Sequence, residues 1–224
     1  DKVEMVEIDA PALDLYMDLE VAYDIVADNE PHMVSVGDFK LPVRYKYYAV
    51  PKVDDNVYLI AYVNGWQKLN LIEGDNSIYY NGAFLGNSYL YTKYSNTELE
   101  VSLGTEKGIQ ISKVKKEDKE AEKTIGTNRF VHLMYDIDVR NNKSKEVEIE
   151  ITDQVPVSSD ADIVLEIINT SGATVDDQSG KLTWNLKLKP AEIKKLTVEF
   201  SVKYPRSKSK QMNIALFRFG RQKV

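Results

Sequence analysis

The second half of this 224-residue chain repeats one simple pattern, in which large apolar residues alternate with polar ones. A period of two places the apolar side chains on one face of a β-strand and the polar side chains on the other. The pattern recurs in five stretches, with turn residues between them. Their apolar positions start at Val131, Val147, Ile163, Leu182 and Leu196. This regularity predicts an all-β fold and says little about function.

A charged run divides the chain into two predicted parts. Eight of the nine residues at 115–123 are charged, so this run cannot be buried and we place a domain boundary there. We expect an antiparallel β-sandwich architecture, with a Tyr-rich β domain at residues 1–113, an immunoglobulin-like β-sandwich at 114–205 and a basic tail at 206–224. In the alternative arrangement, the charged run is only a hairpin connection within one continuous sheet system.

The first part is also predicted to form strands. Alternation predicts strands at residues 19–25 and 34–41, and a nearly continuous apolar stretch predicts a strand covered on both faces at 57–63. Asn64-Gly65 and Asn81-Gly82 tolerate positive φ, so both pairs mark turns, and the second predicts a β-hairpin. Residues 212–219 are compatible with one further strand.

Composition excludes several classes of protein. The chain has no cysteine, which removes disulfides, thiolate nucleophiles and cysteine metal sites and leaves the redox compartment open. Residues 203–224 carry seven basic residues and no acidic one, so the remainder has a net charge of −13. Such an acidic body repels nucleic acid, and we expect the basic tail to be a solvated terminus or a non-native extension. No apolar run approaches the roughly 18 residues of a membrane helix, so we expect no transmembrane segment here.

No set of residues forms a catalytic signature, and we expect no catalytic residue, metal site or cofactor. His32 and His132 are far apart in sequence and are expected to be surface residues. The Ser-x-x-Lys match at 112–115 lies in a predicted strand, and Gly86-Asn87-Ser88 lacks the second glycine of a nucleophile elbow. The aspartate pairs are expected to form turns; loop aspartates can also chelate calcium, but none of the pairs follows the EF-hand pattern. A hydrolase whose acid and base come from separate loops is a further alternative, since the sequence does not show the spacing of its carboxylates. The aspartate pairs are Asp54-Asp55, Asp136/Asp138, Asp160/Asp162 and Asp176-Asp177.

Tyrosines are concentrated in the first part of the chain, where twelve of the fourteen precede residue 95. Where two adjacent strand residues are both aromatic, one of them must face away from the core. Exposed tyrosines suit sugar rings or protein partners, whereas half-buried tyrosines are ordinary sheet residues. The candidate ligand-binding residues are therefore Tyr47, Tyr48, Trp66, Tyr79 and Tyr80.

Seven separated segments, in order, resemble the C-terminal domain of the mucoidy inhibitor A family. The segments are YYAVPK (47–52), NLIEGDNSIYYNGAFLG (70–86), SLGTEKGI (102–109), VRNNK (139–143), DQVPVS (153–158), GKLTWNLKLKP (180–190) and FSVKYP (200–205). The resemblance implies a domain of unknown function from a bacterial cell-envelope protein, periplasmic or at the cell surface, and supplies no catalytic residues. Members of the family also carry an N-terminal domain and a helical middle region. Because the chain begins at Asp1, we expect it to be an excerpt of such a longer product.

The sequence therefore favours a non-enzymatic binding or scaffolding module, with envelope polysaccharide or a protein as partner. One alternative is a carbohydrate-binding module that uses exposed tyrosines. Another is the hydrolase with loop carboxylates. A third is that this domain is the rigid end of a longer protein whose activity lies elsewhere.

Overall fold

The structure is a computed structural model that describes residues 27–28, 30, 32, 35, 37–69, 71–92, 97–116 and 122–210. The chain divides into two compact units, Asp1–Leu41 and Pro42–Val224. In the first unit, the Asp28 carboxylate accepts hydrogen bonds from the Glu30 backbone and the His32 ring. The predicted strands at 19–25 and 212–219, and residues 34 and 36 of a third, lie outside the described residues.

The second unit is built from β-strands. In chain order they are β1 (Val43–Ala49), β2 (Val57–Asn64), β3 (Gly74–Tyr80), β4 (Ala83–Leu90), β5 (Glu98–Thr105), β6 (Ile109–Lys115), β7 (Glu122–Ile125), β8 (Asn128–Asn141), β9 (Val147–Gln154), β10 (Val164–Asn169), β11 (Thr174–Asp176), β12 (Lys181–Leu188) and β13 (Ile193–Pro205). Two short 3-10 helices, Trp66–Leu69 and Arg206–Lys208, complete the described elements. None of the described helices is long and apolar enough to cross a membrane.

The strands form two packed sheets and a separate hairpin. Sheet I has the order β11-β12-β9-β1-β2-β5, and sheet II has the order β10-β13-β8-β6, with β7 also paired to β8. Inward side chains from both sheets form one buried cluster, which includes Ile137, Ile151, Trp184 and Tyr204. The hairpin is a two-stranded sheet made of β3 and β4. The predicted all-β sandwich is confirmed.

Alternation determined which residues enter this core. Every second residue of β8 from Val131 to Val139 is buried, and β9 and β13 follow the same rule from Val147 and Leu196. The predicted hairpin is also confirmed, because Asn81 and Gly82 have φ values of 49° and 79° between β3 and β4. Two successive positive φ values are what a two-residue hairpin turn requires.

The expected boundary between residues 113 and 114 falls inside β6. Strands from both sides of it share each sheet: β1 pairs with β9 in parallel, and β6 pairs with β8. Strands β1, β2 and β5 continue the sheet that contains β9, β11 and β12. Strands β6 and β7, on either side of the charged run, both pair with β8 in sheet II.

The start of the basic tail is ordered by an acidic turn. The Lys208 ammonium lies 2.5 Å from Asp160 Oδ2 and 2.9 Å from Asp162 Oδ2. Hydrogen bonding to Lys208 is the main cause that holds the pKa of Asp160 below its usual value. Residues 211–224 of the tail lie outside the described residues.

Candidate functional site

The five tyrosine and tryptophan candidates do not lie on one surface. Trp66 is only 8% exposed, so its ring is not accessible to a ligand. Tyr47 packs against the core, and Tyr48 is half-buried with its hydroxyl 3.0 Å from Thr152 Oγ1. Tyr80 is half-buried, with its ring centroid 6.1 Å from that of Tyr45. Tyr79 is the one of the five that is well exposed.

The hairpin places four exposed rings on one face, which we call the aromatic face: Tyr79, Phe84, Tyr89 and Tyr91. Their exposed fractions are 65%, 56%, 44% and 58%. The rings form two pairs, Tyr79 with Phe84 at 5.3 Å and Tyr89 with Tyr91 at 4.7 Å between centroids. Large apolar rings in a contiguous exposed group mark a site of interaction more often than single exposed residues do.

Strand register explains why these rings share a face. Asp75, Ser77 and Tyr79 alternate along β3, and they pair across to Tyr89, Asn87 and Phe84 of β4. All six side chains are exposed, whereas Ile78 and Tyr80 on the opposite face are half-buried. The two-residue turn sets Phe84 opposite Tyr79, and the register shift between Ile78 and Tyr79 then brings Tyr89, rather than Ser88, opposite Asp75. Sequence reasoning found Tyr79 but did not extend the turn to Phe84, and it missed Tyr89 and Tyr91 because the shift leaves no clear mark in the sequence.

Polar groups separate the two ring pairs. Ser77 Oγ donates a hydrogen bond to Asn87 Oδ1 at 3.0 Å, and Asp75 lies opposite Tyr89. From Tyr79 to the level of Asp75 the strand advances four residues, which is about 13 Å at the usual rise. The aromatic face therefore offers stacking surfaces at both ends and hydrogen-bonding groups between them, over the length of an oligosaccharide rather than a single sugar.

A second unusual cluster lies between the two sheets. The Lys113 ammonium, on β6, lies 2.9 Å and 2.7 Å from the two carboxylate oxygens of Asp153, on β9. The Asp153 side chain is 0% exposed, and the ammonium is also 4.7 Å from the centre of the Tyr135 ring. Burial, followed by the Asp153 charge, raises the pKa of Tyr135. This ion pair joins the sheets, and the sequence pattern missed it because Lys113 and Asp153 occupy inward positions where alternation predicts apolar residues.

The predicted histidines and loop aspartates have structural partners. His132 Nε2 lies 2.8 Å from Glu199 Oε1 on the neighbouring strand β13. The Asp54 carboxylate accepts hydrogen bonds from the Asn56 backbone and the Tyr58 hydroxyl, and Asp176 accepts bonds within its own turn. Hydrogen bonds from Ser179 and Gln178 hold the pKa of Asp176 below its usual value. The described residues contain no group of three or more histidine, aspartate or glutamate side chains that could hold a metal ion.

A cleft of about 870 Å³ runs beside β6, with Glu106 and Asp138 among its lining residues. Burial raises the pKa of Glu106, but the Lys143 ammonium, the Gly108 N–H and the Tyr47 hydroxyl outweigh it, so the pKa lies below the usual value. A carboxylic acid that acts as a general acid needs a pKa that is raised toward neutrality. The pKa of Glu106 is shifted in the opposite direction. The Lys143–Glu106 contact instead ties the β5–β6 turn to the loop after β8.

Glu106→Gln is expected to reduce stability more at neutral pH than in acid. Because the folded-state pKa of Glu106 is lowered, its contribution is fully present above the unfolded carboxyl pKa of about 4.3 and is lost as the pH falls through the folded-state pKa. Urea unfolding at pH 7 and pH 3 checks this expectation. The variant should be less stable by about 1 kcal/mol at pH 7, and the difference should be smaller at pH 3. A difference that grows in acid would contradict it.

The fold and the aromatic face define a class: a β-sandwich domain that carries an exposed aromatic hairpin. Within that class, the chain belongs to the family described as "Domain of unknown function (DUF4139)", which matches residues 9–206. It is also similar to Protein F37C4.5 of Caenorhabditis elegans, with 24% identity over 173 residues. That match covers 77% of this chain and 31% of the relative, so the chain spans about a third of the length of the curated relative that it matches.

Proposed function

We propose that this chain is a non-enzymatic binding module and that the aromatic face of the β3–β4 hairpin is its binding surface. The observation that carries the proposal is the arrangement of four exposed rings, in two pairs, around a polar centre. Ring faces bind the apolar faces of sugars or the side chains of partners, and tyrosine does so with little loss of conformational entropy.

The ligand that this surface suits best is an extended polysaccharide. Ser77 and Asn87 supply a hydroxyl and an amide between the ring pairs, and Asp75 supplies a carboxylate beside Tyr89. Sugar hydroxyl groups can bond to all three. A protein partner is the other candidate, since exposed tyrosines are also common at protein interfaces.

The resemblance to the mucoidy inhibitor A family supports a place for this module in a bacterial cell envelope, in the periplasm or at the cell surface. We propose that the module anchors a longer protein to envelope polysaccharide. In that arrangement, the rigid sandwich presents the hairpin, and the remainder of the longer protein supplies any further activity. An assay of the full-length protein for polysaccharide hydrolysis would test the competing proposal that loop carboxylates make it a hydrolase.

A polysaccharide ligand is expected to raise the melting temperature of the protein. Binding at about one hundred times the dissociation constant adds roughly 2.7 kcal/mol, which corresponds to about 5–10 °C for a chain of this size. Tyr79→Ala combined with Tyr89→Ala should weaken binding about 100-fold, at about 1–2 kcal/mol for each ring. Differential scanning calorimetry with envelope polysaccharide fractions measures both effects.

Phe39→Ala is the matched control for that experiment, because Phe39 is an exposed aromatic residue outside the hairpin. It should leave the ligand-induced shift unchanged. If the double tyrosine variant keeps the full shift, the ligand binds elsewhere and the assignment of the aromatic face is wrong. If no fraction shifts the melting temperature of the unmodified protein, the polysaccharide proposal fails and a protein partner becomes the better candidate.

A further inference from the structure

Sheet I ends at β5 with an open edge. β5 pairs with β2 from Glu98 to Thr105, and no described strand pairs with its other side. An open edge presents unpaired backbone N–H and C=O groups, which can add a further extended chain. The edge is therefore a recognition surface whose hydrogen-bonding groups are already in place.

A groove of about 440 Å³ runs beside this edge. Residues 97–102 of β5 and its approach line one side, and residues 88–91 at the end of β4 line the other. Each wall is formed by consecutive residues. A groove over a sheet face is lined by every second residue of a strand, whereas a groove along a strand edge is lined by consecutive residues. The groove therefore follows the edge in the direction that an added strand would take.

One buried polar group in the groove wall has no partner among the described residues. The side-chain oxygen of Asn76, on β3, is shielded from solvent and accepts no hydrogen bond. A buried acceptor without a donor is destabilising. Because this oxygen is closed to solvent, an added chain reaches it only if the Asn76 side chain turns toward the groove.

Charge indicates which chain fits. Glu98 and Glu100 lie on the β5 wall, and the described residues that line the groove include no lysine or arginine. A hydrogen bond from Asn64, together with the Arg44 guanidinium, keeps the pKa of Glu98 below its usual value, so Glu98 stays ionised. Two glutamates on the edge of a second copy would repel this edge, whereas lysine or arginine side chains would be attracted.

We propose that this groove binds an extended, basic peptide segment of a partner protein, which adds to β5 as a seventh strand of sheet I. The peptide backbone pairs with the β5 edge, and its basic side chains reach Glu98 and Glu100. This interaction differs from the proposed function because it uses a strand edge and a peptide instead of a sugar, although its groove shares Tyr89 and Tyr91 with the aromatic face.

The probe is a capped six-residue peptide of alternating lysine and valine, and two matched peptides serve as controls. One control replaces each lysine by glutamate, and the other carries N-methyl groups on alternate amides. Fluorescence anisotropy should show binding of the lysine peptide only. Hydrogen exchange should slow at alternate amides of β5 and remain unchanged in β11, the opposite edge of the same sheet. The proposal is overturned if the lysine peptide does not bind at millimolar concentration, or if the N-methylated peptide binds equally well.

Glu100→Lys should weaken binding of the lysine peptide about two- to fivefold, which is the effect of one exposed charge. Glu166→Lys is the matched control, because Glu166 is an exposed glutamate on β10, the edge strand of sheet II. Tyr79→Ala should leave peptide binding unchanged, so failure here is distinct from failure of the polysaccharide proposal. The experiment is repeated without peptide at several protein concentrations. If hydrogen exchange in β5 becomes slower as the protein concentration rises, the edge binds a second copy of the chain and the proposal is overturned.

Discussion

Asp153→Ala is expected to lower the free energy of unfolding by about 3–5 kcal/mol, because it leaves the Lys113 ammonium buried without its counter-charge. The Asp153 side chain is fully buried, its Oδ1 accepts a hydrogen bond from the Lys113 ammonium, and its Oδ2 lies 2.7 Å from the same group. Lys52 lies close to the same pair. Burial lowers the pKa of Lys52, the Asp153 charge raises it and the Lys113 charge lowers it. Urea unfolding followed by circular dichroism measures the loss.

Two variants isolate the role of burial in this effect. Lys113→Met combined with Asp153→Leu removes both charges, and it should cost less than Asp153→Ala alone because no ion remains unpaired. Glu148→Ala breaks the Lys187–Glu148 pair, whose side chains are largely exposed, and it should cost much less than Asp153→Ala because solvent screens both charges. Equal losses for Asp153→Ala and Glu148→Ala would show that the interior pair is not buried in solution.

Gly180→Ala is expected to destabilise the protein by more than about 3 kcal/mol, for two reasons that act together. Gly180 has a φ of 70°, and an added Cβ would lie 2.3 Å from the carbonyl oxygen of Val155. The Val155 N–H also donates to the Gly180 carbonyl at 2.9 Å, so the two backbones cannot separate without losing that bond. Thermal unfolding gives the size of the effect.

Gly82→Ala separates the conformational part of that effect from the steric part. Gly82 also has a positive φ, of 79°, but no atom lies within 4 Å of the Cβ that alanine would add. Its substitution should therefore cost only about 1 kcal/mol. If the two alanine variants lose the same stability, close approach of the backbone at Val155 does not contribute.

Local sequence patterns predicted local structure well. Alternation identified the buried residues of β8, β9, β12 and β13, because a period of two determines the face of each strand. Asn81-Gly82 predicted the hairpin because few other dipeptides adopt two positive φ values in succession.

Long-range pairing was not predictable in the same way. The parallel contact of β1 with β9 joins residues about one hundred positions apart, and alternation says nothing about which strands are neighbours. The charged run at 115–123 suggested a domain boundary, whereas β6 and β7 on either side of it both pair with β8 in sheet II. Lys113 and Asp153 were missed for a related reason, since each looks like a break in the apolar pattern until its partner is known.

The candidate site was predictable only in part. The adjacent pair Tyr79-Tyr80 required one outward ring, and the structure places Tyr79 there. Trp66 was a candidate because of its residue type alone. It lies in a 3-10 helix, and its side chain is buried. The grouping of Tyr89 and Tyr91 with Tyr79 depends on hairpin register, which the sequence does not show.

The most direct test of the aromatic face is chemical-shift mapping of the aromatic ring signals by NMR while an envelope polysaccharide fraction is added. We expect the signals of Tyr79, Phe84, Tyr89 and Tyr91 to move together with one dissociation constant, and the buried Tyr135 and Tyr204 to stay in place. That result would place the ligand on the hairpin. Shifts confined to residues outside the hairpin, or no shifts with any fraction, would contradict the account.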